Sequence, residues 1–206
     1  MNEYSFIFVP MRIRDEEKVK LVKQKAIESI VKDGFEGFSM NKLAKTCDIS
    51  VATLYIYYKD KDDLIISIAK EEGDRMADIF IENFDPTLSF EDGMRVQWIN
   101  RYKYVIANPL SYLFFEQLRT STYQERFLDT FMKKFRTIIS EFMNNVVAKG
   151  EISAMPLEVF WSVAYAPLYS LVRFDKEGQS IGGKPFYMTD EVLWRTFDLV
   201  IKALKN

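Results

Sequence analysis

The stretch FSMNKLAKTCDISVATLYIYYKDKDDL, Phe38 to Leu64, decides the fold. It reads as two short helices joined by a tight turn, followed at once by the start of a third. The first is predicted over Met40 to Thr46. Ser39 stands just ahead of it, where a hydroxyl accepts a bond from a free backbone N–H of the first turn. The turn is Cys47-Asp48-Ile49, and the second short helix runs from Val51 to Tyr57 with Ser50 as its N-cap. The third begins near Lys61, capped by Asp60, with Asp62 and Asp63 in the first turn, where negative charge suits the helix dipole. Met40, Leu43, Ala44, Ile49, Leu54 and Tyr58 can then face inward together. A helix-turn-helix is built this way, with two helices locked through a small core so that the second can enter a DNA major groove.

Upstream, Asp15 to Lys32 has Val19, Val22, Ala26, Ile27 and Ile30 at helical spacing, with lysines on the other face. Acidic residues open this helix and Gly34 ends it. Phe35 and Phe38 are placed to cover the small core. Residues 1–14 are read as a flexible N-terminal arm. Its apolar run Phe6–Val9 is too short for a signal segment and precedes its arginines instead of following them.

Downstream, the third element continues as a long helix to about Asn83 and is broken by Asp85-Pro86-Thr87. Ser89 can cap a helix from Phe90 to about Ala107, ended by Asn108-Pro109. A short helix follows around Leu110 to Arg119, then a long amphipathic one from Tyr123 to Lys149, ended by Gly150. Pro156 suits the start of another, running to about Phe174, in which Pro167 predicts a kink or break. KEGQSIGGK, Lys176 to Lys184, is a polar, Gly-rich loop, and Thr189 opens a last helix to about Leu204. No strand pattern emerges. The expectation is an all-α fold of about nine helices, with a three-helix head over 15–64 and a helical bundle over 65–206.

Composition narrows the function. The 206 residues are 48% hydrophobic and 28% charged, which is ordinary for a globular chain, but 15% are aromatic, which is high. There is no histidine and one cysteine, Cys47. The commonest general base and metal ligand is therefore missing, and no disulfide framework exists, which fits a reducing cytoplasm. No Gly-rich phosphate loop, G-x-S-x-G or Glu-x-x-His occurs, so the expectation is a non-enzyme without metal or cofactor. Nothing is long enough to span a membrane. The net charge of −2 is not that of a generally basic nucleic-acid binder. From Met11 to Asp60, ten Lys/Arg face eight Asp/Glu, a net of +2. The motif, not the charge, carries the case for DNA.

The run T-L-Y-x-Y-Y-K-D-K-x-D-L, Thr53 to Leu64, with K-L-A at Lys42 to Ala44, resembles the DNA-binding domain of the tetracycline-repressor (TetR) family. The resemblance covers roughly residues 15–70. It implies a dimeric, all-helical transcription regulator whose second short helix enters the major groove. On that basis Val51 and Ala52 would face bases, and Thr53, Tyr55 and Tyr57 bases or phosphates. Lys61 would bind phosphate, Asn41 would contact base or phosphate, and Ser39 and Ser50 would complete the DNA-binding set. Ile56 and Tyr57 are apolar or bulky where relatives often carry more polar residues, which favours methyl contacts and DNA shape in readout. Asp48 replaces a common Gly in the turn, and Asp tolerates the left-handed conformation.

Beyond the head, Trp98, Tyr102, Phe114, Phe115, Phe131, Trp161, Tyr165 and Tyr169 lie on different helices that can converge. They form a candidate pocket for a small apolar or aromatic effector. The plain alternative is a core filled with rings. Arg101, Arg119 and Arg173 are candidates for pairing an anionic ligand or for surface salt bridges. Leu193, Trp194, Phe197, Val200, Ile201 and Leu204 make the last helix a candidate homodimer surface, or else they close the chain's own core. The expected function is a ligand-responsive repressor binding a twofold-symmetric double-stranded operator. The competing reading is an all-helical adaptor that binds protein through its head.

Overall fold

The computed structural model describes residues 16–206, and the side chains of all of these but 127–134. The N-terminal arm of residues 1–14 lies outside the described residues, as does the Phe131 side chain. The chain divides into two compact units, Met1–Ile68 and Ala69–Asn206.

The first unit begins with α1 (Glu16–Gly37), which buries Val22, Ala26, Ile27 and Ile30. Its regular part stops at Gly34, whose φ of 71° is a left-handed conformation that glycine adopts without a Cβ clash. A further short turn then carries the chain to Gly37. Next come α2 (Met40–Thr46) and α3 (Val51–Tyr57), at the predicted bounds. Phe38, Leu43, Leu54 and Tyr58 are all buried, as are Leu64, Ile65 and Ile68 of α4 (Lys61–Phe80). The boundary between the units falls within α4.

The second unit holds the rest of α4 and six further helices. These are α5 (Phe90–Ala107), α6 (Pro109–Leu118), α7 (Gln124–Ala148), α8 (Leu157–Ala164), α9 (Ala166–Glu177) and α10 (Asp190–Leu204). Among the described residues there are ten helices and no strand, only the isolated bridges Ile152–Lys205 and Gln179–Pro185. The tenth helix arises because the predicted Pro156–Phe174 helix is broken into α8 and α9 at Tyr165, two residues before Pro167.

The core of this unit is aromatic. Phe90, Trp98, Phe142, Phe160 and Phe197 are buried in one cluster, with Leu168, Val172 and Leu193 around them. Burying such a side chain contributes roughly 1.5–3 kcal/mol. Phe142 stands edge-on to Phe84 and stacks on Phe90, with ring centroids 5.1 and 6.4 Å away. Gly93 lets α5 approach it: a Cβ at that position would lie 2.4 Å from Phe142 Cε2. The N-terminus of α5 is held twice. The Asp92 N–H donates to Ser89 Oγ at 3.2 Å, and the Phe90 N–H donates to Glu151 Oε2 at 2.7 Å. The C-terminus of α7 closes with Gly150 at φ 72°, its N–H donating to the Val147 carbonyl while the Glu151 N–H reaches back to Val146.

Candidate nucleic-acid interface and a buried arginine

The turn between α2 and α3 fixes the angle at which α3 is presented. Asp48 has φ 53°. Its N–H donates to the Lys45 carbonyl at 3.3 Å, and the Ile49 N–H donates to the Ala44 carbonyl at 3.0 Å. This pair of bonds is a Schellman closure, in which the residue just past the helix must be left-handed. Glycine does this most cheaply, and Asp does it better than most residues. The buried Cys47 thiol sits in the same turn, and burial pushes its pKa up.

Caps then start each helix. The Lys42 N–H donates to Ser39 Oγ at 3.3 Å and the Thr53 N–H to Ser50 Oγ at 3.1 Å. Ser50 Oγ also lies 2.9 Å from Thr53 Oγ1. The hydroxyls of Ser39, Ser50 and Thr53 therefore have structural duties in the head itself. The α4 start is capped by Asp60, whose Oδ1 accepts from the Asp63 N–H at 2.8 Å.

With Leu54 turned inward, α3 leaves Ala52, Tyr55 and Ile56 exposed and Val51, Thr53 and Tyr57 half-buried. Tyr55 and Ile56 keep 52% and 67% of their surface accessible, far more than a helix packed only inside its own domain needs. Asn41 is exposed on α2. Lys61 is half-buried, and its Nζ donates to the Phe35 carbonyl at 2.6 Å while lying 5.9 Å from the Phe38 ring. It therefore ties the end of α1 to the start of α4. Among the exposed cations of the head, Lys42 and Lys45 on α2 and Lys59 between α3 and α4 are the ones nearest in sequence to α3, and sequence reasoning did not single them out as contacts. The i,i+3 spacing of Lys42 and Lys45 on α2 was the available signal.

In the second unit, the candidate pocket residues separate into groups. Trp98 is fully buried, stands edge-on to Phe197 at 5.4 Å, and donates its indole N–H to the Ala164 carbonyl at 2.9 Å. Phe114 is buried beside Phe115 on α6, and Tyr102 packs at the edge of the core. Trp161, Tyr165 and Tyr169 do converge. Trp161 lies 5.1 Å from Tyr165 and stacks on Tyr169 at 6.1 Å. Tyr169 in turn stacks on Tyr112 at 6.5 Å.

At the centre of that group is Arg101, 1% exposed. Its guanidinium lies 4.0 Å from the Tyr165 ring centroid, 4.3 Å from Phe80, 5.3 Å from Trp161 and 5.4 Å from Phe135. Nη1 donates to Tyr169 Oη at 3.0 Å and Nη2 to Gln97 Oε1 at 3.5 Å, while Nε has no partner among the described residues. Burial pushes the Tyr165 phenol pKa up, against the opposing pull of Arg101. Arg119 and Arg173 differ: they form exposed ion pairs with Glu116 at 3.5 Å and Glu177 at 3.9 Å.

A polar clamp joins the later turns of α4 to the α5–α6 junction. Glu72 Oε2 accepts from Ser111 Oγ at 2.6 Å and from Arg75 Nη2 at 2.8 Å, and Arg75 Nη2 also donates to Asn108 Oδ1 at 2.9 Å. Burial and then the Glu72 charge push the neighbouring Tyr104 phenol pKa up.

The residues proposed for a dimer surface serve the chain's own core: Leu193, Phe197, Val200, Ile201 and Leu204 are buried in it, and Trp194 packs partly against it. The apolar surface left facing outward on α8 and α10 belongs to Leu157, Val159 and Leu199, at 56%, 50% and 62% exposure, with Trp161 of α8 exposed to 42%. Periodicity finds a helix's apolar stripe but not an isolated leucine on its other side. Among the described residues no group of acidic or cysteine side chains could hold a metal ion, and no helix is long and apolar enough to cross a membrane.

Comparison with other proteins finds the same architecture, a helix-turn-helix segment followed by an all-helical unit. Residues 24–68 match the family model for bacterial regulatory proteins of the tetR family. An uncharacterised HTH-type transcriptional regulator from Haemophilus influenzae is 30% identical over 80 residues, 39% of this chain and 43% of that protein. The match thus spans less than half the length of that relative. A TetR family transcription regulator from Marinobacter aquaeolei VT8 superposes over 95% of this chain and 100% of its own, with a TM-score of 0.76 and 24% identity. A TetR-family regulator from Haemophilus influenzae Rd covers 93% and 98%, with a TM-score of 0.70 and 19% identity. The tetR-family match is thus carried by residues 24–68, and over the rest of the chain the likeness to these solved structures is one of fold.

Proposed function

We propose that this protein is a homodimeric, ligand-responsive transcription regulator that binds a twofold-symmetric duplex site through α3. The observation that carries the reading is the α3 surface. Ala52, Tyr55 and Ile56 are exposed on a short helix rigidly set by the Asp48 turn and two serine caps. A base-reading surface without charge contacts thymine methyls through its Ala, Ile and Val side chains, and bases or phosphates through hydroxyls. Charge comes from outside α3, from Lys42, Lys45 and Lys59. Lys61 has donors left for a phosphate while one holds Phe35. A second copy is needed because one such helix reads too few base pairs. Leu157, Val159 and Leu199 supply the outward apolar surface for pairing.

Repression fits a regulator whose ligand state is sensed in the second unit. A ligand there acts only through its different affinity for two arrangements of the bundle. The Glu72–Arg75–Ser111 clamp is where α4 would register a shift of α5 or α6. Selection of bound duplexes from a random pool, with purified protein at moderate salt, tests the reading. Enrichment of a twofold-symmetric site is expected, with affinity falling steeply with salt. Absence of any enriched site, with and without candidate effectors, would refute it.

A further inference from the structure

We infer that Arg101 is the anchor of a binding site for a monocarboxylate carrying an apolar or aromatic body. The inference rests on the reading of the second unit as a ligand sensor. Arg101 is a buried cation whose neighbours are rings and neutral polar groups, and no described carboxylate pairs with it. Burying a guanidinium is costly, and an apolar side chain of similar volume fills a purely structural position more cheaply. Ring faces compensate only part of the lost hydration. Tyr165 is not the missing counter-anion, because its phenol is held in the neutral form by burial.

The identity of the anion follows from the donor set. The unpartnered Nε and the long 3.5 Å Nη2 bond to Gln97 leave one edge of the planar guanidinium under-used. That edge suits a planar, singly charged carboxylate taken in two parallel bonds. One guanidinium among rings balances one unit of charge, so a doubly charged phosphate would be left half-compensated. The rest of the ligand would lie against Trp161, Tyr165 and Phe80. Trp161 is the exposed wall, 42% accessible and 5.3 Å above Arg101, so displacing its ring opens the site from solvent. Tyr169 bridges the two, stacked on Trp161 and bonded to Arg101.

The test is titration of the full chain with 1-naphthoate and decanoate, each against its amide, followed by tryptophan fluorescence and calorimetry. At least one carboxylate is expected to bind wild type roughly 10- to 150-fold tighter than its amide, the value of hydrogen bonds to a charged group. Arg101→Met should erase that preference while leaving amide binding in place. Arg101→Lys, which keeps the charge, should retain a reduced preference, and it stands in if the Met variant does not fold. No carboxylate preference in wild type, or a preference that survives Arg101→Met, overturns the inference. The duplex selection is a separate arm. Its failure alongside a clear carboxylate preference would refute the regulator reading only, and the reverse result would refute the anchor only.

Discussion

Gly93→Ala sets two effects of known size against each other. Replacing a mid-helix glycine with alanine normally stabilises by about 0.8–1.0 kcal/mol. Here the new Cβ would lie 2.4 and 2.6 Å from Phe142 Cε2 and Cζ, where ordinary contact begins near 3.4 Å. Either the ring or α5 must therefore move by about 1 Å. Phe142 is buried, flanked by Phe84 and Phe90 and packed among the rings of the core, so it has no free volume to move into. Overpacking of this kind costs about 1–3 kcal/mol. The net expectation is a loss of up to about 2 kcal/mol, a fall of a few degrees in Tm. Denaturant titration of wild type, Gly93→Ala, Phe142→Leu and the double variant measures it. Shortening the ring should relieve the alanine, giving a favourable coupling of about 0.5–3 kcal/mol. A Gly93→Ala protein more stable than wild type by the full helix-propensity gain, or a strictly additive cycle, would refute the reasoning.

Three further outcomes are expected. Asp48→Gly should stabilise the head by up to about 1 kcal/mol and Asp48→Val destabilise it by about 1–2 kcal/mol, because the turn holds φ at 53°; urea midpoints with unchanged slopes check both. Burial raises the Tyr112 phenol pKa to about 12 and also raises those of Tyr165 and Tyr104. The folded state then holds these protons more tightly than the unfolded chain does, so stability is intact below pH ~10 and declines as pH rises from there toward 12. Tyr112→Phe should soften that decline in urea melts at pH 9 and 11.5, and an identical decline would count against Tyr112 as a source. Leu199→Glu should weaken the proposed self-association at least about tenfold in sedimentation while leaving the helical content of the subunit unchanged by circular dichroism, since this side chain faces outward; self-association at wild-type strength would place the proposed interface elsewhere.

What could be read from the sequence followed how local its determinants are. Caps at Ser39, Ser50, Ser89 and Thr189 act over three residues, and all four accept the bond their position predicts. The bounds of α2, α3 and α5 follow from them. The left-handed turn at Asp48 is equally local. Which side of α10 meets the chain's own core is not local, because it depends on α5, α8 and α9 packing against it. The same limit applies to the three arginines, which look alike in sequence. Arg119 and Arg173 have a glutamate one helical turn away, and their exposed pairs are the result. Arg101 has Gln97 in that place, with Trp98, Tyr104 and Val105 close by on α5. A cation with no acidic partner one turn away, in an aromatic helix, was the available sign of burial.

The break between α8 and α9 shows how one backbone event can build two features. A continuous helix over Leu157–Glu177 would keep the Ala164 carbonyl inside its own ladder and carry Tyr165 along an unbroken face. Pro167 cannot donate, and its ring crowds the preceding turn, so the chain leaves helical geometry at Tyr165, with φ −123° and ψ −30°. The Ala164 carbonyl then accepts the Trp98 indole N–H, which satisfies two buried polar groups with one bond. The same departure lets Tyr165 lay its ring 4.0 Å from Arg101 while Trp161, on the helix before the break, and Tyr169, on the helix after it, stay stacked. Trp98 and Arg101 are three residues apart on α5, so a single helix face meets both consequences of the break. Any ligand that moves Trp161 off Arg101 must therefore strain the α8–α9 break or the α5 face against it, and the Glu72–Arg75–Ser111 clamp ties α4 to the far end of α5. This gives the sensing hypothesis a physical route built only from contacts within the second unit.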